Sequence, residues 1–67
     1  MIKNFGAVKT ITTRKGWAYR VVEGSCTIDW FDGTQYVVFL AHGKESGVRE
    51  RVAMLPDEIA SVVEVAE

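Results

Sequence analysis

The sequence predicts a small all-β domain, a strongly bent antiparallel barrel of five strands, and three observations lead to this prediction. Turn signals, most of them with glycine, divide the 67 residues into segments of about five to eight residues, which is the length of a strand. Several segments alternate apolar and polar side chains, and others are rich in β-branched residues. Because no repeat or linker interrupts this pattern, residues 1–67 are predicted to form a single domain.

The first three predicted strands lie in β-branched and aromatic segments. Residues 7–14 are rich in Thr, Val and Ile, which pack well on a pleated sheet. Residues 17–22 place aromatic side chains at alternate positions. The clearest alternation follows, with Cys26, Ile28 and Trp30 on one face, and it predicts a half-buried strand.

The next two strands follow a tight turn. Asp32 and Gly33 are residues that tolerate positive φ angles, and strand-forming residues flank them on both sides, so they predict a hairpin. Residues 36–41 are apolar at every position, which is typical of a central or covered strand. Residues 48–55 can form the fifth strand.

The last segment allows two interpretations. Pro56 at a first helical position, with Asp57 and Glu58 near the positive end of the helix dipole, predicts a short terminal helix. The β-branched residues near the end of the chain instead favour a 3₁₀ turn at residues 56–58 followed by a closing strand over 59–65. We favour the turn and strand.

Strand alternation also predicts the core. Its members are Val21, Ile28, Trp30, Val38, Leu40, Val52, Met54 and Ile59. Hydrophobic residues make up 48% of the chain, which is high for so short a sequence, and a small domain hides a modest share of its surface. We therefore expect association with a protein partner or with a second copy of the chain.

Composition argues against a dedicated nucleic-acid binder, a membrane protein and a secreted protein. The chain carries eight Lys and Arg against nine Asp and Glu, and its pI of about 5.8 is far from that of a dedicated nucleic-acid binder. No apolar run has the length of a membrane span, and no secretory signal begins the sequence, so the predicted location is cytoplasmic, without membrane contact. Residues 1–20 are basic and residues 56–67 acidic; these charges cancel if the two segments are neighbours.

Catalysis, cofactors and metals are not predicted. Cys26 and His42 could form a nucleophilic pair, but Cys26 lies on the apolar face of its strand and is better explained as a core residue. Asp29 and Asp32 could act as acid and base, yet Asp32 is explained by the turn and Asp29 by the polar face of its strand. No ligand spacing for a metal and no phosphate-binding glycine motif is present.

Two binding surfaces are predicted. Arg14, Lys15, Trp17, Tyr19 and Arg20 interleave cations with aromatic rings, the combination by which small barrels hold single-stranded nucleic acid. The alternative is that the two aromatic side chains anchor the core. Exposure of Trp17 would favour stacking on bases, whereas burial would favour a structural role.

The other surface is an interface for self-association. Edge strands of a small sheet leave backbone groups unpaired, and the apolar segment at 36–41 offers a second apolar face. The predicted interface residues are Tyr36, Val37, Phe39 and Ala41. The leading functional prediction is a non-catalytic binding or adaptor module that self-associates or binds a protein partner, and the alternative is a nucleic-acid-binding domain.

Two segments resemble the motifs of Sm-like proteins over about half the chain. In residues 30–45, Phe31-Asp32 near a turn leads into an apolar strand and a polar loop that ends in an acid. In residues 52–63, an apolar strand and an acidic turn precede the closing Ile-Ala-Ser-Val strand. SH3-like barrels show nearly the same pattern of strands and turns.

The resemblance implies a bent five-stranded barrel and assembly as a ring or dimer through edge strands. It does not carry over the RNA pocket of the family. The base-contacting Asn of the first motif is not found at Tyr36 or Val37, and Leu55-Pro56 stands where the second motif has Arg-Gly.

Overall fold

The computed structural model describes residues 2–45 and 47–65, and in this part of the chain six strands form two antiparallel sheets of three strands each. The strands are β1 (Val8–Thr13), β2 (Ala18–Arg20), β3 (Thr27–Phe31), β4 (Thr34–His42), β5 (Arg49–Met54) and β6 (Ile59–Glu64), with 3₁₀ turns at Phe5–Ala7 and Pro56–Glu58. The all-β prediction is confirmed. None of the helices in the described residues has the length and apolar character needed to cross a membrane.

The prediction of a five-stranded barrel is wrong. The first sheet has the order β2-β1-β6 and the second β3-β4-β5, and across the described residues they do not close into a barrel. In the part of the chain that the structure describes, an isolated bridge joins them, between Val21 and Ala41, beside a hydrogen bond of 2.8 Å from the Val22 amide to the Leu40 carbonyl. The reason is that β2 ends at Arg20 after three residues and does not continue into the second sheet, so among the described residues no strand belongs to both sheets.

The predicted hairpin between β3 and β4 is confirmed. Phe31 lies opposite Thr34, so Asp32 and Gly33 form a two-residue turn. Their φ angles are 51° and 77°, the left-handed values that such a turn requires. The turn aligns the two strands and so fixes which residues of β3 and β4 share a face.

Over the described residues 56–65 the 3₁₀ turn and the closing strand are confirmed, and these residues do not form the alternative terminal helix. The amide of Leu55 donates to a Glu58 carboxylate oxygen at 2.9 Å, and the Glu58 amide donates to the Leu55 carbonyl at 2.9 Å. These two bonds close a single turn at Pro56–Glu58. The chain then pairs with β1, where β-branched side chains fit a pleated surface.

The core lies between the two sheets. Its largest fully buried side chains are Phe39, Ile11, Val8 and Val37. Of the eight predicted core residues, Val21, Val38, Met54 and Ile59 are buried, Ile28, Leu40 and Val52 are half-buried, and Trp30 is exposed. Most of the predicted core is therefore covered within one copy of the chain.

Trp30 is the core prediction that is wrong. Alternation places it on the same face as Ile28, but it lies opposite Gln35, one residue pair from the hairpin turn. The last core row across this sheet is formed by Ile28, Val37 and Met54. Because the hairpin continues beyond that row, the described residues leave Trp30 largely uncovered, with 69% of the residue exposed.

The two ends of the described chain are neighbours, since β1 pairs with β6. A Glu64 carboxylate oxygen accepts hydrogen bonds from the Lys3 amide at 2.9 Å and the Asn4 amide at 3.1 Å. The bond from the Asn4 amide, followed by that from Lys3, holds the pKa of Glu64 below its usual value. The carboxylate thus fastens the segment before β1 to the last strand.

We expect acid to release this segment. The pKa of Glu64 is lower in the folded chain than in the unfolded chain, so its stabilising effect is complete above the ordinary glutamate pKa and is lost as the pH falls through the lowered value. Amide chemical shifts of Lys3 and Asn4, followed by NMR from neutral to strongly acidic pH, should report the release. In Glu64→Gln these amides should no longer follow the pH, and identical pH profiles in both chains would contradict the assignment.

Candidate functional site

The turn between β1 and β2 carries three of the predicted binding residues. The amide of Thr13 donates to the Trp17 carbonyl at 2.8 Å, and the Thr13 hydroxyl accepts from the Trp17 amide at 3.2 Å. Gly16, with a φ of 92°, allows the chain to reverse between them. The turn holds Arg14, Lys15 and Trp17 away from the sheet, and 66% of the Trp17 side chain is exposed.

A groove of about 490 Å³ lies between this turn and the strand β5 with the following 3₁₀ turn. We call it the Trp17 groove, and its lining residues are Thr13, Arg14, Lys15, Trp17, Tyr19, Val52, Ala53, Met54, Asp57 and Glu58. Strands β2 and β5 are outer strands of different sheets. The groove therefore lies where the two sheets diverge.

The apolar floor of the Trp17 groove is continuous with the core. Tyr19 lies opposite Ile11, and its ring contacts the ring of Phe39 edge to face with the centroids 5.7 Å apart. Val52 is half-buried and Met54 is buried. This floor is rigid because its side chains also pack in the interior of the domain.

Four of the five residues predicted to bind nucleic acid meet in the Trp17 groove, namely Arg14, Lys15, Trp17 and Tyr19. Arg20 does not join them. It lines a separate polar cavity of about 410 Å³ together with His42 and Arg49. Trp17 is exposed and Tyr19 is half-buried, so one ring has the position of a stacking platform and the other anchors the core.

The charges in the Trp17 groove cancel. Arg14 and Lys15 lie on one wall, and Asp57 and Glu58 on the other. Arg14 also joins the walls, because its Nε donates to the Asp57 carbonyl at 2.6 Å and its amide donates to the Glu58 carbonyl at 2.9 Å. A groove with two cations and two carboxylates is formally neutral, whereas phosphate binding requires an excess of positive charge.

A second exposed aromatic surface lies at the hairpin of β3 and β4. We call it the aromatic patch, and it consists of Trp30, Phe31, Tyr36, Val38 and Ala53, around a shallow hollow of about 330 Å³. Trp30 and Phe31 are neighbours in sequence and are 69% and 75% exposed. The Asp29 and Arg51 side chains border the hollow as an ion pair with an N–O distance of 3.8 Å.

The predicted interface residues lie on two different faces of β4. Val37, Phe39 and Ala41 face the interior and are buried, so a second copy cannot touch their side chains on the folded domain. Tyr36 is half-buried and belongs to the aromatic patch. Sequence reasoning missed Phe31, and the available signal was a pair of adjacent aromatic residues just before a tight turn.

Three of the four residues considered for catalysis, Cys26, Asp29 and Asp32, have contacts or backbone positions that account for them, and His42 lines the polar cavity beside Arg20. Cys26 is buried, and this burial raises the pKa of its thiol, so the unreactive protonated form prevails at neutral pH. Asp29 pairs with Arg51, and Asp32 forms the hairpin turn. The described residues contain no group of three or more His, Cys, Asp or Glu side chains that could hold a metal ion.

No protein-family model, curated protein or solved structure matches the chain. The resemblance to Sm-like proteins is neither supported nor contradicted by these comparisons.

Proposed function

We propose that this protein is a non-catalytic binding module that associates with a second copy of itself through the aromatic patch. The observation that carries the proposal is the exposure of two adjacent large aromatic side chains, Trp30 and Phe31, on a small domain that has a formed core of its own. An aromatic side chain buries about 150–250 Å² when it is covered. Large exposed apolar side chains gathered at one end of a hairpin are characteristic of interaction sites.

The position of the patch supports the proposal. Strand β3 is an outer strand of its sheet, so one side of its backbone presents amide and carbonyl groups that a second chain can pair with. Trp30 and Phe31 lie on this strand. A partner that covers them can therefore add backbone hydrogen bonds to the apolar contact.

We expect Phe31→Ser to weaken self-association at least about tenfold, because truncating a central aromatic anchor costs about 2 kcal/mol or more and about 1.4 kcal/mol is already a factor of ten. Sedimentation velocity over a concentration series measures the effect. Val63→Ser is the matched control, since Val63 is an exposed apolar residue on β6 in the other sheet and its loss should leave association unchanged. The wild-type assembly should also persist at high salt, because apolar association is not screened.

Two results would contradict this proposal. One is a wild-type chain that sediments as a monomer at every concentration. The other is a Phe31→Ser chain that associates as strongly as the wild type.

Nucleic-acid binding is the second candidate, and the exposure of Trp17 beside Arg14 and Lys15 favours it. The carboxylates of Asp57 and Glu58 in the same groove weigh against it, because they repel phosphate. A complex with a mixed single-stranded oligonucleotide that forms at low salt and dissociates at high salt would promote this candidate over self-association.

A further inference from the structure

We infer that the Trp17 groove of one copy receives the end of the β3–β4 hairpin of another, so that the contact joins two different surfaces. The inference rests on the proposed self-association and adds the partner surface that the aromatic patch contacts. Three observations carry it: the directions of Trp30 and Phe31, the shape of the groove, and the charges around both surfaces.

The first observation is that the Trp30 and Phe31 side chains point in opposite directions. Trp30 and Phe31 are consecutive residues of a strand, and they pair with Gln35 and Thr34 respectively. Successive side chains of a strand point to opposite faces, so the two rings leave the hairpin on opposite sides. A flat contact against one face of the sheet would cover one ring and leave the other in water. A groove with two walls covers both.

The second observation concerns shape. The Trp17 groove has walls on two sides and an apolar floor of Tyr19, Val52 and Met54. Its volume of about 490 Å³ is in the range of pockets that enclose most of a ligand, roughly 300–1,000 Å³. Trp17 stands at the groove with most of its ring exposed, so the indole can contact an inserted aromatic side chain.

The third observation is charge complementarity. Asp29 and Asp32 flank the two aromatic residues of the hairpin, and Arg14 and Lys15 form one wall of the groove. Arg51, beside Asp29, supplies a cation for the opposite wall, which carries Asp57 and Glu58. Within the described residues the one ion pair is that of Asp29 and Arg51. In the groove, Arg14 Nε bonds the Asp57 carbonyl and a Glu58 carboxylate oxygen bonds the Leu55 amide. These contacts are with backbone groups and do not neutralise the charges, so the groove can still attract the opposite charges of a second copy.

Because the two surfaces differ, each copy offers one hairpin end and one groove. Two copies can exchange hairpin ends reciprocally, or successive copies can add head to tail into a ring or a filament. Both arrangements use the same contact. In both, a variant whose hairpin end is damaged still has an intact groove for the hairpin end of another copy.

The inference can be tested by mixing two variants, Phe31→Ser with a damaged hairpin end and Trp17→Ser with a damaged groove. Each variant alone should associate at least about tenfold more weakly than the wild type. An equimolar mixture should form a heterodimer, because the Phe31→Ser chain keeps its groove and the Trp17→Ser chain keeps its hairpin end. Sedimentation velocity with one variant fluorescently labelled detects it. The double variant mixed with Phe31→Ser is the control and should not associate, since neither chain has an intact hairpin end.

Both substitutions replace exposed side chains, and circular dichroism verifies that the variants are folded. If Trp17→Ser assembles like the wild type while Phe31→Ser does not, the patch contacts something other than the groove; the inference fails and the proposed function stands. If the wild type is a monomer, the inference and the proposed function both fail. If the oligonucleotide binds the wild type but not Trp17→Ser, and Trp17→Ser still assembles, the groove is a nucleic-acid site and the inference is overturned.

Discussion

Phe39→Ala is expected to leave most of the chain unfolded at room temperature. Phe39 is the largest fully buried side chain, 1% exposed, and its ring contacts the ring of Tyr19 across the two sheets. Replacing a core phenylalanine by alanine costs about 3–5 kcal/mol through lost burial and the remaining cavity. A domain of this size has few kcal/mol of stability in total, so the loss is comparable to the whole. Urea denaturation followed by circular dichroism measures it.

The control for this prediction is Phe31→Ala, which removes the same side chain from an exposed position. At protein concentrations below the onset of association it should change the free energy of unfolding by less than about 0.5 kcal/mol. A Phe39→Ala chain with the unfolding midpoint of the wild type would show that the core is not organised around this ring.

Ser25→Ala is expected to lower the free energy of unfolding by about 1–3 kcal/mol, because it leaves a backbone amide without a partner at the joint between the sheets. The Ser25 hydroxyl donates to the Val22 carbonyl at 2.6 Å and accepts from the Leu40 amide at 3.1 Å. The alanine side chain cannot accept the Leu40 hydrogen bond. Each kcal/mol lost should lower the melting temperature by about 4–8 °C in a domain of this size.

Ser61→Ala is the matched control for this second prediction. Ser61 is exposed on β6, so losing its hydroxyl should change the melting temperature little. Equal melting temperatures for Ser25→Ala and Ser61→Ala would mean that water replaces the missing hydroxyl at the joint.

The features that the sequence predicts well are those set by neighbouring residues. Asp32 and Gly33 specify the hairpin turn because few other residues accept two consecutive positive φ angles. Pro56 begins the 3₁₀ turn, and the β-branched residues that follow it form a strand. In each case the determining interactions lie within a few residues along the chain.

The features that the sequence predicts poorly are those that depend on which side chains the other sheet covers. Alternation places Trp30 with Ile28, yet nothing in the pattern reveals that Ile28 is half-buried while Trp30 is left exposed. Along residues 36–41 every position is apolar, so the pattern does not reveal which side chains face inward. The predicted interface consequently included Val37, Phe39 and Ala41, which belong to the core.

The groove could be predicted in part. The residues Arg14, Lys15 and Trp17 are close in sequence, and the turn that presents them is signalled by Gly16. The second wall, with Asp57 and Glu58, comes from a turn that lies forty or more residues further along the chain. Its two carboxylates make the groove formally neutral, whereas the first wall alone is basic. The groove also lies between outer strands of two separate sheets, and the sequence pattern does not reveal that the sheets stay separate.

The pairing of β1 with β6 also determines how the domain responds to a pulling force. Val8, at the start of β1, lies opposite Glu64, at the end of β6, so both chain ends leave the sheet at the same corner. Tension applied through the ends therefore separates the two strands like a zipper and loads their hydrogen bonds one after another. A ladder pulled in this direction yields at a lower force than one whose bonds are sheared together, so under tension through the ends the domain begins to open at this corner.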